Sequence, residues 1–251
     1  MAPGKGIVSG KKAIVTGAAS GIGRAISEAL AAEGATVLGV DLPSAEWSTS
    51  ETLEGPIARL AIDITDPAAP GTIVDTASAL LGGIDILVNN AGIITAGDAE
   101  TTSDDQWNRV MAVNVHAVFR LTREAIPLLR KSAGASIINT GSIVSELAGP
   151  GIIAYITSKH AVAGMTKAMA VNLGKYGIRA NFLQPGSIVT PLAQSVSNDP
   201  EFIAYWERKI TLGRLGQPGD IAPVAVFLAS DAARYISGEG VRIDGGATVN
   251  A

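Results

Sequence analysis

Residues 13–23 read AIVTGAASGIG: a short apolar run, then a turn carrying Gly17, Gly21 and Gly23, then the start of an alanine-rich segment. Apolar residues in unbroken succession mark a strand buried on both faces. The following segment, Gly21–Glu33, has helical signals and is closed by Gly34. Strand, glycine turn and helix make the opening unit of a parallel α/β sheet.

The same alternation continues along the chain. Further strand candidates are TVLGVD from Thr36, RLAID from Arg59, DILVNNAG from Asp85, SIINTGS from Ser136, ANFLQPG from Ala180 and VRIDGG from Val241. Helical patterns occupy Pro67–Leu81, Ser103–Arg130 and Tyr155–Leu173, and Ser103 with Gln106 has the form of a capping box. The expectation is an α/β fold with a doubly wound parallel sheet of about seven strands flanked by helices, in a single domain spanning 1–251. Pro43 to Pro56 reads as an irregular connection. Thr190 to Arg214 reads as a long loop with one or two helical turns around Glu201–Lys209, placed to act as a substrate lid around 190–214.

Composition narrows the function. The chain has 251 residues, 47% hydrophobic, with a formal charge of −4 and scattered Lys and Arg, so it lacks the basic stripe that nucleic acid or an anionic membrane requires. No cysteine is present, which removes disulfides, thiolate metal sites and a cysteine nucleophile. MAPGKGIVSGKK lacks the apolar stretch of a secretory signal, and the longest uncharged run, 180 to 198, contains Asn, Gln and two Pro. A cytoplasmic protein is expected. His116 and His160 lack metal-ligand spacing and read as ordinary hydrogen-bonded histidines, so no metal is expected. Trp107 reads as a packing residue and Glu146 as a solvated one.

The glycines at 17, 21 and 23 let the backbone approach a pyrophosphate, whose charge then rests on a helix N-terminus. Asp41 ends the second strand candidate 18 positions after Gly23, close to the spacing at which an acid hydrogen-bonds an adenosine ribose. A carboxylate there repels the additional phosphate of NADP, and no Arg follows within Leu42 to Ser50. NAD is the expected cofactor. Asn90, Ala91 and Gly92 follow an apolar strand, so their backbone can also pass close to the ribose.

Tyr155 and Lys159, in AYITSKH at 154–160, lie four apart on a helical pattern and so share a face. A phenol can exchange a proton with an alcohol oxygen only if its pKa falls from about 10 toward working pH. An ammonium about 4 Å away is worth about 4 kcal/mol at an effective dielectric of 20, at most about three pK units before desolvation subtracts from it.

These segments together resemble the short-chain dehydrogenase/reductase family, in its NAD-preferring branch of about 250 residues. The resemblance runs from Lys11 to Ala247. It is carried by TGAASGIG at 16–23, Asp41, Asp63, NNAG at 89–92, Asn114, Ser142, Tyr155 with Lys159, and PGSIVTP at 185–191. It implies a Rossmann-type fold and a catalytic tetrad of Asn114, Ser142, Tyr155 and Lys159. Ser142 would hydrogen-bond the substrate oxygen, Lys159 would reach the nicotinamide ribose, and Asn114 would hold a water that relays the proton outward. The cofactor would lie against Gly17, Ser20, Gly21, Ile22 and Gly23, with Asp41 and Leu42 at the ribose and Asp63 with Ile64 at the adenine. Pro185, Gly186, Ile188 and Thr190 would hold the carboxamide end. Thr157 and Gln184 depart from the family's usual residues.

By position relative to that tetrad, Ile94, Val144, Leu147, Ile152, Ile188, Leu192 and Trp206 line the substrate side along with Ser142. An apolar pocket with one polar corner favours a hydrophobic, cyclic or aryl, secondary alcohol or its ketone over a polyol, whose hydroxyls would go unpaired. A 3-oxoacyl-carrier reductase is the alternative enzyme, weakened by Asp41 and by the missing basic patch. A dinucleotide-binding regulatory protein is the alternative outside enzymes. The resemblance also implies a homotetramer built through Ser103–Arg130 and Tyr155–Leu173, with the C-terminal strand in a second interface. Both helices are unusually apolar for surface elements, as an interface requires.

Overall fold

The computed structural model of the chain describes residues 6–47, 57–193 and 199–250. Seven strands form one sheet: β1 (Lys12–Thr16), β2 (Thr36–Asp41), β3 (Ile57–Ala61), β4 (Ile86–Asn89), β5 (Ser136–Thr140), β6 (Arg179–Pro185) and β7 (Gly240–Ile243). Their order is β3-β2-β1-β4-β5-β6-β7, and every neighbouring pair is parallel. The winding reverses between β1 and β4. A crevice therefore opens at their carboxyl ends, where the helices on either side diverge.

The helices are α1 (Gly21–Ala32), α2 (Ala69–Leu81), α3 (Asp104–Met111), α4 (Val118–Leu129), α5 (Ile153–Leu173), α6 (Pro200–Lys209) and α7 (Pro218–Ala229). Strand side chains alternate between two cores, which is why the strands read as continuous apolar runs. Val15 and Val88 join Ile26 and Leu30 of α1 and Ile221 and Val226 of α7 on one face. Ile14 and Leu87 join Ile73 of α2, Leu121 of α4 and Met169 of α5 on the other.

A polar seam crosses the second core. Asn89 of β4 donates to Asn139 of β5 at 2.9 Å, and Asn139 donates to Thr166 of α5 at 2.8 Å. All three are nearly or fully buried. Apolar contacts allow sliding, whereas such bonds fix α5 in depth and register against the sheet.

Three expectations change. Ser103 and Gln106 do form the capping box, and the backbone stays helical from Asp104 to Leu129, but not as one α-helix: a π-helical stretch, Ala112–Ala117, lies between α3 and α4. The turns around Glu201–Lys209 extend to a ten-residue helix with Asp199 accepting from Glu201 N at its start. Helix α7 has no counterpart among the helical patterns of the sequence. Its prolines at 218 and 223 imitate a loop, and the residues it exposes, Gly219, Pro223 and Phe227, supply no polar face to mark a helical period. No helix among the described residues is long and apolar enough to cross a membrane. Of the Pro43 to Pro56 connection, residues 48–56 lie outside the described residues.

Candidate active site and dinucleotide cleft

The glycine turn is packed to its limit. A Cβ on Gly23 would stand 2.1 Å from the carbonyl oxygen of Gly17, and one on Gly17 would stand 2.9 Å from the side-chain amide of Asn90. Gly17 and Gly21 also hold φ of 68° and 55°, a region L side chains avoid. Asn90 fastens the turn by donating to the carbonyls of Thr16 and Gly17 at 3.1 and 3.4 Å. The Thr16 hydroxyl accepts from the amides of Asn90 and Ala91 at 3.0 and 3.1 Å. Helix α1 then begins at Ser20, exposed and extended, whose side chain makes no cap. Its first amides face the crevice with the positive end of the helix dipole behind them, which suits a phosphate anion.

Asp41 closes the same end. Its carboxylate accepts from Ala19 N and from Leu42 N, both at 2.8 Å. One bond to each oxygen leaves lone pairs for a ribose hydroxyl while the negative charge stays in place. Asp63 spends one oxygen on the amide and hydroxyl of Thr65, at 2.8 and 2.7 Å, and so shapes the turn after β3 that carries Ile64. Across the crevice, Thr190 faces Gly21 at 3.5 Å from the position of its missing Cβ. Ile188 is buried over Gly216, where any Cβ would collide with it.

Ser142, Tyr155 and Lys159 converge where β5 ends and α5 begins. Ser142 caps a 3-10 turn, Ile143–Ser145, its hydroxyl accepting from Val144 N at 3.3 Å, and it acts on the Tyr155 phenol to lower its pKa. Lys159, 4% exposed, donates to the Thr140 carbonyl at 2.7 Å and stands 5.4 Å from the centre of the Tyr155 ring. The Asn114 amide is already fully engaged: it accepts from Ile93 N, and donates to Ile93 O and to Ser158 Oγ, each at 2.9 Å. Ser158 in turn donates to Tyr155 O at 2.7 Å. Asn114 thus clamps the loop after β4 to the first turn of α5. Gly92 keeps that junction open, its missing Cβ lying 3.4 Å from Asn114 Oδ1 and 3.6 Å from Lys159 Nζ.

The pKa of Tyr155 moves against expectation. Part of its ring is accessible, yet the protein around the hydroxyl pushes the phenol above its ordinary 10.0, and the Ser142 hydrogen bond offsets only part of this. Burial likewise brings Lys159 down from 10.5 to about 8. The simple ammonium–phenolate estimate fails because one cavity penalises both charges, and the Lys159 ammonium points at the Thr140 carbonyl.

On the substrate side, two loops are stitched together. Gly97 N donates to Gly151 O at 2.8 Å and Ile153 N to Gly97 O at 3.1 Å, which sets the loop bearing Ile94 beside Ile152. Val144 and Leu147 flank Ser142's turn, and Leu147 and Leu192 are exposed. The ring contacts of Trp206 are with Phe202 and Tyr205 of its own helix, and none is with the tetrad. The segment from 187 to 216 is cross-bridged at its base, Val189 N to Gly216 O at 2.9 Å and Gly216 N to Ser187 O at 3.0 Å. Residues 194–198 of the expected lid lie outside the described residues.

Sequence reasoning assigned no role to Thr16, Thr140 or Ser158: the Thr16 hydroxyl accepts from two amides, the Thr140 carbonyl accepts from Lys159, and Ser158 links Asn114 to the Tyr155 carbonyl. Glu146 is exposed, as its reading as solvated expects, and it also pairs with Arg242 at 2.8 Å, a contact the sequence does not disclose. No group of three or more His, Asp or Glu able to hold a metal occurs among the described residues.

Known proteins resemble this chain over nearly its whole length. The family model described as enoyl-(acyl carrier protein) reductase matches residues 17–248. The 3-oxoacyl-(acyl-carrier-protein) reductase FabG of Thermotoga maritima is 36% identical over 246 residues, covering 96% of this chain and 99% of that one. The 2,5-dichloro-2,5-cyclohexadiene-1,4-diol dehydrogenase LinX of Sphingobium indicum is 38% identical over 247 residues, covering 96% and 98%. A crystal structure of gluconate 5-dehydrogenase from Burkholderia cenocepacia, in complex with NADP and tartrate, superposes with a TM-score of 0.91 at 32% identity, covering 97% of each chain.

Proposed function

The chain belongs to the short-chain dehydrogenase/reductase family, and from that premise we propose that it is an NAD-dependent oxidoreductase interconverting a hydrophobic, cyclic or aryl, secondary alcohol and its ketone. The observation that carries the proposal is the convergence of Ser142, Tyr155 and Lys159 at the mouth of a crevice whose other wall is the uncapped start of α1. The residues fit a dinucleotide. Gly17, Ser20, Gly21, Ile22 and Gly23 would hold its pyrophosphate, Asp41 and Leu42 a ribose, Asp63 and Ile64 the adenine, and Asn90, Ala91 and Gly92 the ribose edge. Pro185, Gly186, Ile188 and Thr190 would hold the carboxamide end.

When bound, the dinucleotide accepts or supplies hydride. Tyr155 moves the accompanying proton at the alcohol oxygen, and Ser142, which lowers the pKa of the phenol, holds that oxygen and stabilises charge developing on it. Lys159 stabilises the phenolate as the proton leaves. Because Asn114's side chain is committed to Ile93 and Ser158, a proton passing outward by way of Asn114 would use its main-chain carbonyl, in the π-helical stretch. Asp41 supports NAD over NADP, since its carboxylate, held at the end of β2 by Ala19 N and Leu42 N, would repel an added phosphate on the ribose it is proposed to hold.

Ile94, Val144, Leu147, Ile152, Ile188 and Leu192 support the apolar substrate class, and the diol dehydrogenase relative acts on a chlorinated six-membered ring. Residues 190–214 would cover the substrate, with Trp206 on the covering helix. Phe119 on α4 and Val171 on α5, 49% and 83% exposed, support assembly of a cytoplasmic homotetramer through those helices.

A second reading, reduction of a 3-oxoacyl carrier, draws on the Thermotoga relative. The test is the initial rate at the reduced-nicotinamide band, with NAD(H) and NADP(H), against 1-phenylethanol, cyclohexanediol, gluconate and an acetoacetyl carrier. Turnover of the apolar alcohols with NAD is expected. Preference for gluconate overturns the substrate class, and preference for the acetoacetyl carrier with NADPH establishes the second reading. NADH binding without turnover of any member would mark a dinucleotide-binding regulator.

A further inference from the structure

Ser142's turn and the foot of α6 are far apart in sequence, yet one guanidinium stands between their supports. Arg242 of β7 donates from Nη2 to Glu146 Oε2 at 2.8 Å and from Nη1 to Thr248 Oγ1 at 3.2 Å. Glu146 terminates the 3-10 turn that Ser142 opens. Thr248 belongs to a C-terminal segment folded on Asp244, whose carboxylate accepts from Gly246 N, Thr248 N and Thr248 Oγ1 at 2.9, 2.9 and 2.7 Å.

That segment in turn grips the end of α6. Leu212 N donates to Gly245 O at 3.1 Å and Thr211 Oγ1 to Gly246 O at 3.2 Å. The Asn250 amide donates to the carbonyls of Lys209 and Arg208 at 2.9 and 3.4 Å, and Lys209 Nζ donates back to Asn250 O. The last carbonyls of a helix have no partner within it, so Asn250 supplies a C-terminal cap from outside the helix. The close approach depends on Gly245 and Gly246, where a Cβ would stand 2.6 Å from Ile210 Cγ2 and 2.7 Å from Thr211 Oγ1.

We infer that Arg242 is a positioning residue: it sets the separation between the Ser142 turn and the foot of α6, the two segments that bound the alcohol, and so tunes which substrates fit. The inference rests on the proposed function for its substrate, but the coupling itself does not. At 38% and 44% exposure the Arg242–Glu146 pair alone is a weak contact. Its consequence lies in having a second arm: loss of the guanidinium removes a support from two segments at once, whereas loss of an ordinary surface pair links no two such segments.

The test is hydrogen–deuterium exchange of the whole chain, with and without NADH, for wild type, Arg242→Met, Arg242→Lys and Glu146→Gln. Arg242→Met should speed exchange of 143–147 and of 208–213 together by about five-fold, leaving 154–173 unchanged, because local opening follows the loss of local bonds. Arg242→Lys, which retains one charged donor, should recover part of the protection in one segment only. Glu146→Gln should release 143–147 more than 208–213. Acceleration confined to one segment in Arg242→Met, uniform acceleration, or none overturns the inference. With 1-phenylethanol and NAD, Arg242→Met should raise KM for the alcohol about five-fold with kcat and KM for NAD within about two-fold, the pattern of altered substrate placement. A wild-type enzyme silent toward 1-phenylethanol counts against the proposed substrate, and the exchange result then decides the strut.

Discussion

The crevice has two walls built on different principles. The wall toward β1 and α1 is made of backbone: Gly17 and Gly23 are packed to contact, and Asn90 and Thr16 spend their side chains on main-chain partners. The wall toward the substrate is made of side chains on loops, held by contacts between segments as distant as Glu146 and Arg242. Backbone packing tolerates one ligand shape, and side chains on loops tolerate many. A family can therefore keep one cofactor class while its members differ in substrate, as the carrier reductase, diol dehydrogenase and gluconate dehydrogenase relatives do.

The sharpest probe of that division lies on the seam. Tyr155→Phe should cut turnover by about 10²- to 10⁴-fold, the contribution of a positioned acid/base, while NADH affinity measured by fluorescence stays within about two-fold. Retention of most turnover would remove Tyr155 from the chemistry.

Next in size is the buried ammonium, which belongs to both walls. Lys159 has a folded-state pKa of about 8 against 10.5 unfolded, so below pH 8 both states are protonated and the cost of burial is present in full. Between pH 8 and 10.5 the folded chain releases its proton while the unfolded chain keeps it, so stability rises with pH, by up to about 3 kcal/mol from this group. Urea denaturation across that window should show the rise in wild type relative to Lys159→Met, and parallel curves would mean that Lys159 is solvated.

Smaller effects should separate cleanly by wall. Asp41→Ala should bring NADPH toward NADH in affinity by about ten-fold without moving KM for the alcohol, as expected for removal of one repulsive charge. Leu147→Ala should raise KM for 1-phenylethanol by about three-fold without moving the Kd for NADH, in keeping with the modest worth of a few methylenes in an apolar pocket. A cross effect in either variant would show that the walls are coupled beyond Tyr155 and Lys159.

The same division explains how much the sequence disclosed. The cofactor wall is local: Gly17, Gly21 and Gly23 occur within seven residues, Asp41 ends the next strand, and each answers to a backbone requirement that spacing records. Strands β1, β2, β4, β5 and β6 were readable because burial on both faces leaves a nearly unbroken apolar run, whereas the edge strands β3 and β7 are only partly buried. Helix α7 was not readable, since Pro218 and Pro223 imitate a loop and the face it exposes carries Gly219, Pro223 and Phe227 rather than polar residues. Nor was the π-helical stretch, because AVNVHA has the composition of an ordinary helix and is set apart by Asn114's three bonds to distant partners. The direction of the Tyr155 shift was missed because a pairwise charge estimate contains no cavity. The substrate wall was read only as a set of residues, since Glu146 and Arg242 are 96 positions apart and no period or motif links them.

The hydrogen bonds that cross-link Ser187 and Val189 to Gly216 make the residues between them a cassette. Because the two ends are tied to each other by main-chain atoms, the insert can change in length or composition with its ends held, so long as Arg214, which pairs with Asp220 of α7, is kept, and each doubling of a flexible insert costs only about 0.6 kcal/mol in closure entropy. Grafting this span between relatives is accordingly a route to new substrate ranges, provided that its second fastening, at the C-terminal glycine pair, travels with it.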